Sequence, residues 1–135
     1  MVETFAKDFL EELSYDLEVK DFIKAQYVLN QLDLVDIRTR GRAVFALSKT
    51  DEGFVIALLT EVLARRPDLG ESCPSLKKIL WAKALSGQEG FLTLFEDARD
   101  TDQKIVLAET AGEICMKEAS PILRGFLNRT HDGRL

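Results

Sequence analysis

Residues 46–54 read Ala-Leu-Ser-Lys-Thr-Asp-Glu-Gly-Phe, and residues 84–91 read Ala-Leu-Ser-Gly-Gln-Glu-Gly-Phe. The same six residue types recur in the same order, with three intervening residues in the first copy and two in the second. Each copy lies where one apolar run with helical spacing stops and another starts, so each predicts a helix–turn–helix junction. A more diverged third copy places Thr110-Ala111-Gly112 at the Ala-Leu-Ser positions. Seven residues back from Leu47, Leu85 and Ala111 stand Arg40, Lys78 and Lys104, a basic residue one helical face earlier in each unit. A single helical hairpin cannot bury both of its apolar faces, so repeated hairpins are expected to stack and share a core. Small residues at the junctions (Ala46, Ser48, Ala84, Ser86, Ala111 and Gly112) would let the helices approach, and Phe54 and Phe91 would fill equivalent gaps.

Outward from these junctions the helical period continues. Phe5, Phe9, Leu10, Leu13 and Leu17 recur at steps of three and four, as do Phe22, Ala25, Leu29 and Leu32. Asp36 is a candidate N-cap for the segment carrying Val44 and Leu47, followed by Phe54, Leu58, Val62 and Leu63. Pro67 and Gly70 read as the opening of the longest loop, through Cys73, and Pro74 starts the helix of Leu76, Ile79, Leu80 and Ala84. Phe91–Ala98, Ile105–Ile114 and Ile122–Leu127 complete eight helices, and no run has the alternation of a strand. The expectation is all-α: a right-handed α–α superhelix, or solenoid, of about four hairpins at 2–32, 35–65, 74–99 and 101–129. These form one domain over 1–130, with 131–135 a polar tail or the start of a linker.

The stretch Ala108–Leu123, AETAGEICMKEASPIL, resembles HEAT-like repeats of the phycobilisome-lyase type. In that pattern an alanine-rich helix ends in Gly-x-Ile, and the next begins Glu-Ala-x-Pro with leucines after it. Gly112, Ile114, Glu118, Ala119, Pro121 and Leu123 occupy those positions, and Arg40, Lys78 and Lys104 fall where the family places a basic residue. Cys115-Met116-Lys117 stands where Gly-Asp-Pro is common, the middle unit lacks the glycine and proline, and the first hairpin matches poorly. The resemblance implies a HEAT/armadillo-like solenoid that serves as a surface for other macromolecules.

Composition agrees with a folded domain. The 135 residues are 46% hydrophobic and 30% charged with three prolines, which excludes disordered and fibrous classes. A chain of this size buries roughly two-thirds of its unfolded surface without metal or disulfide staples. The net charge of −5 disfavours a general nucleic-acid binder. Charges at Glu3, Lys7, Asp8, Glu11 and Glu12 break any secretory apolar core, and no window nears the roughly 18 apolar residues of a membrane span. Cys73 and Cys115 have no CxxC spacing, so reduced thiols in a cytoplasmic protein are the plain reading.

No chemistry-bearing constellation stands out. His131 is the only histidine and lies in the polar tail, the wrong place for a Cys–His or Ser–His pair. The carboxylate pairs Glu11-Glu12, Asp51-Glu52 and Glu96-Asp97 read as solvated surface rather than an acid/base cleft. Glycine-rich phosphate loops are missing. Arg38 and Arg42 stand one turn apart and could hold a phosphate or an acidic partner loop, with local pairing to Asp36 or the first hairpin as the bland alternative. Trp81 reads as core. Tyr27, off the Phe22–Leu29 stripe, is a candidate interface anchor. Second helices of hairpins line the concave face of a solenoid, which adds Lys20, Lys24 and Gln31 as candidate partner-binding residues. Residues 1–36 carry nine acidic and three basic groups, an asymmetry that would steer a basic partner toward that end.

These readings lead to a non-catalytic protein–protein interaction module, without cofactor or metal and with an unidentified protein partner, as one domain of a larger signalling or scaffold protein. The alternatives are a lyase-like cofactor-attachment chaperone and a HEAT-like nucleic-acid-binding protein.

Overall fold

The computed structural model describes residues 2–114, which form eight α-helices and no strand among the described residues. In chain order these are α1 (Val2–Glu18), α2 (Phe22–Leu29), α3 (Ile37–Ser48), α4 (Glu52–Arg65), α5 (Pro67–Ser72), α6 (Pro74–Ser86), α7 (Gln88–Asp97) and α8 (Thr101–Glu113). A 3-10 turn, Leu32–Leu34, follows α2. The all-α expectation therefore holds. The second half of the predicted fourth hairpin, Cys115, His131 and most of the HEAT-like stretch lie outside the described residues.

Helix starts follow from capping chemistry. The carboxylates of Asp21, Asp36 and Asp51 accept hydrogen bonds from the backbone N–H groups of Lys24, Thr39 and Phe54 at 3.2, 3.1 and 3.1 Å. Pro67 and Pro74 open α5 and α6, where a missing N–H costs nothing. The stretch read as the longest loop is thus mostly helix. Leu69 and Gly70 of α5 are buried, and a Cβ on Gly70 would come within 2.7 Å of Lys77 Cε and 3.3 Å of Leu63 Cδ2. The glycine that looked like a loop signal lies packed between α4 and α6, where a Cβ would require the end of Lys77 to swing aside and Leu63 to give by a few tenths of an ångström.

A repeat does run through the packing, in a register that residue identity conceals. Phe9, Leu13 and Leu17 of α1 are buried; so are Thr39, Ala43 and Leu47 of α3, each 30 positions on. Leu76, Leu80 and Ala84 of α6, 37 further on, are buried in turn. Leu107 and Ala111 of α8 continue the series. The second helices follow suit, since Ala25, Val28, Leu29 and Leu32 precede buried Val55, Leu58, Leu59 and Val62 by 30. The Ala-Leu-Ser tripeptides themselves are out of phase. Leu47 is wholly buried, whereas Leu85 is 51% exposed, and Ala84 takes the place of Leu47. The extra residue before Glu52, compared with Glu89, absorbs the slip. Correcting it moves the basic ladder to Arg40, Lys77 and Lys104, all half-buried, and leaves Lys78 exposed.

The contacts between helices are more globular than a chain of hairpins meeting only their neighbours. Val55, Ile56, Leu58, Leu59, Thr60, Val62 and Leu63 are all buried, covering well over half the circumference of α4. A helix apolar on so many sides needs partners all round, and α4 packs on α2, α5, α6, α7 and α8. Its contact with α8 reaches past α6 and α7 in the chain, and a polar latch fixes it. Arg65 reaches Glu61 at 2.8 Å, Asp100 at 2.6 Å and Asp102 at 3.7 Å, while Gln103 donates to Glu61. The hydrogen bond to Glu61 is the chief reason the Arg65 guanidinium holds its proton more tightly than usual. At ten residues against fourteen, α7 is shorter than α4, which leaves α4 surface for α8 to cover.

Candidate functional site

Some basic side chains in this fold close helix ends, and others face solvent. Arg40 donates from Nε to the Leu32 and Val35 carbonyls at 3.1 Å each, and from Nη2 to Asp33 O at 3.1 Å. Lys83 donates to Ser48 O at 2.7 Å and Thr50 O at 2.6 Å, closing the C-terminal end of α3 from the following hairpin. Arg66 donates to Asn30 O at 2.9 Å and pairs with Asp33 and Asp68 at 3.1 and 2.7 Å. The hydrogen bond to Asp68, then that to Asp33, raises the Arg66 pKa, and the hydrogen bond from Arg66 lowers that of Asp68. Cations on orphan carbonyls complement the negative end of a helix. These three are structural staples, and Lys83 and Arg66 were not anticipated as such.

The candidate binding residues are placed differently. Lys20, Lys24 and Tyr27 are exposed, Tyr27 at 67%, and Gln31 is half-buried. Arg38 and Arg42 are exposed on α3, and neither forms an ion pair among the described residues. The pairing with Asp36 amounts to a weak field effect: Asp36 has a lowered pKa chiefly from hydrogen bonds with Thr39, and Arg38 contributes least. Because α2 packs on α1 and α4 while α3 packs on α1 and α6, the six residues belong to two surfaces. Trp81, expected in the core, is half-exposed.

On α2 the structure adds Ile23, 71% exposed and one turn before Tyr27, so the pair forms one outward stripe beside Lys24. Lys20 precedes it in a strained conformation. Its φ of 55° is the left-handed value that favours glycine, and Lys20 is the only non-glycine with positive φ among the described residues. The cause is the end of α1. Lys20 N–H donates to Leu17 O and Asp21 N–H to Asp16 O, at 3.3 and 2.9 Å, the paired bonds of a Schellman motif with Lys20 at the glycine position.

On α3 the structure adds Phe45, 59% exposed, with Lys49 Nζ 4.4 Å from its ring centroid. Sequence reasoning passed over Ile23 because it adjoins Phe22 of the core stripe, and Phe45 because it lies within the apolar run 43–47. Counting helical phase from the buried residues would have found both. Of nine large apolar side chains exposed among the described residues, eight lie between Phe5 and Phe45. Scattered exposed apolar residues are ordinary; their concentration in one third of a chain is not.

A cavity of about 450 Å³ opens between α4, α6 and α8, with Leu63, Leu80, Trp81 and Val106 as its apolar wall and Lys77 and Glu109 among its polar groups. The chain continues from its α8 wall into residues outside those described. The pairs Glu11-Glu12, Asp51-Glu52 and Glu96-Asp97 are exposed, and Asp51 serves as a helix cap. No described helix is long and apolar enough to cross a membrane. No family model matches the sequence, and neither a curated protein nor a solved structure shows a significant match.

Proposed function

We propose that the chain is a non-catalytic protein-interaction module of stacked HEAT-like hairpins, and that its partner docks on the outer face of α2. The observation that carries this reading is the Ile23–Tyr27 stripe, two large side chains one turn apart and mostly in water. Removing such a stripe from water is the main favourable term in most protein associations, and an exposed tyrosine is a frequent anchor. Lys24 beside it and Lys20 before it set the partner's chemistry as apolar with acidic groups. The first 36 residues are acidic overall, but six of their nine carboxylates belong to α1, and α2 itself carries no acid. The left-handed Lys20 sits directly before this stripe, and backbone strain of that kind is concentrated at functional surfaces. The repeating burial register supports stacked hairpins, with the α4–α8 contact as a local departure.

The test is affinity capture with cross-linking, comparing the wild-type chain with Ile23→Asp/Tyr27→Asp and with Lys20→Glu/Lys24→Glu. A protein recovered by the wild type and lost with both variants is the expected result. Recovery of the same proteins by all three, or of none in repeated trials, would overturn the reading.

A further inference from the structure

The aligned register of α1 and α3 lines up their solvent faces as well as their buried ones. On α1 and the turn that ends it, positions 8, 12, 15 and 19 carry Asp8, Glu12, Tyr15 and Val19, all exposed. Thirty positions on, at the same phase of α3 and its C-cap, stand Arg38, Arg42, Phe45 and Lys49, all exposed. The spacing of i, i+4, i+7 and i+11 makes each set one ridge along its helix. One ridge is acid, acid, aromatic, apolar; the other is base, base, aromatic, base. Tyr15 is 62% exposed, Val19 50% and Phe45 59%. The helices pack side by side, and their C-terminal turns meet around one shallow pocket lined by Leu17, Glu18, Ala46 and Lys49, so they run the same way.

We propose that this face binds a second copy of the chain, α1 of each copy against α3 of the other. A two-fold axis lying between the helices and along them carries the α1 ridge over the partner's α3 ridge at the same height. Asp8 then meets Arg38, Glu12 meets Arg42 and Tyr15 meets Phe45, and the symmetry makes each contact twice. Such self-complementarity is what a two-fold interface requires. The charge pattern selects against the alternatives, since a shift that sets α3 on α3 opposes like charges. Within one copy neither ridge neutralises the other: no ion pair links them among the described residues. The surface is distinct from the Ile23–Tyr27 stripe, so this inference stands or falls apart from the docking reading.

The experiment is sedimentation equilibrium of the full chain at about 0.01 M and about 1 M salt, where charges act over about 30 Å and about 3 Å. Dimer at low salt that dissociates at high salt is expected. Arg38→Glu/Arg42→Glu makes both ridges acidic and Asp8→Lys/Glu12→Lys makes both basic, so each variant alone is monomeric. Mixed, they form a one-to-one heterodimer in which both contact sets are restored. Ile23→Asp/Tyr27→Asp leaves the dimer unchanged. All the charge positions are exposed; circular dichroism checks the fold, and Arg38→Gln/Arg42→Gln provides a milder variant expected to weaken the dimer. A wild type monomeric throughout, a dimer indifferent to these charge changes, or reversed variants that stay monomeric when mixed would each overturn the proposal.

Discussion

Leu47 and Leu85 occupy the middle of identical Ala-Leu-Ser tripeptides, and the packing predicts opposite consequences for removing them. Leu47 is wholly buried on α3, which packs against α1 and α6; Leu85 is 51% exposed near the end of α6. Leu47→Ala loses the transfer free energy of the side chain and leaves a cavity between helices that cannot fully collapse. In comparable sites that combination costs about 2.7–5 kcal/mol, and about 3 kcal/mol is the expected value here. Leu85→Ala opens no enclosed cavity. It forfeits only the half of the side chain already out of water, and alanine's better helix propensity offsets part of that, leaving below about 1 kcal/mol. With a urea slope of about 1.5 kcal/mol per molar for a domain of this size, the midpoint falls by about 2 M for Leu47→Ala and by under about 0.7 M for Leu85→Ala. Equilibrium urea unfolding followed by circular dichroism measures both, with an unchanged slope as the check that the comparison is fair. Equal shifts for the two variants would refute the one-residue slip in register and restore the simple sequence alignment.

Lys20→Gly relieves the left-handed strain at the end of α1, a gain of about 1–2 kcal/mol, offset by about 0.5–1 kcal/mol of extra glycine entropy. The expected net effect in the same urea assay is a modest stabilisation; loss of stability would show that Lys20 is not strained. Asp36, held low by hydrogen bonds with Thr39, and Asp68, held low by Arg66, have folded pKa values beneath the ordinary 3.8. Their contribution is therefore full above that value and disappears as pH falls through the folded values. Asp36→Asn/Asp68→Asn should lose less stability than the wild type between about pH 5 and about pH 2, and an identical acid profile would count against both interactions.

Much of the architecture was legible beforehand. Period-3.6 apolar spacing, aspartate caps and prolines at first helical positions are local signals, so seven of the eight described helices could be placed from sequence. The eighth, α5, was hidden because Pro67 and Gly70 are loop punctuation on their own, and only the tertiary structure places Gly70 inside a buried helical turn beside Lys77 and Leu63. The candidate site was legible in part. Residue type marked Lys20, Lys24, Tyr27, Gln31, Arg38 and Arg42, yet it could not separate a solvent-facing arginine from Arg40, whose guanidinium closes a turn of carbonyls.

The chain's own letters determined that it is helical and where most helices begin, because hydrogen-bonded turns and apolar period depend on residues a few positions apart. Which copy of a repeated leucine is buried, which cations serve as staples, and that α4 is enclosed on most sides were decided only in three dimensions. A side chain's environment is set by helices brought together across dozens of residues, and a shift of one position turns a helical side chain through about 100°, from core to water.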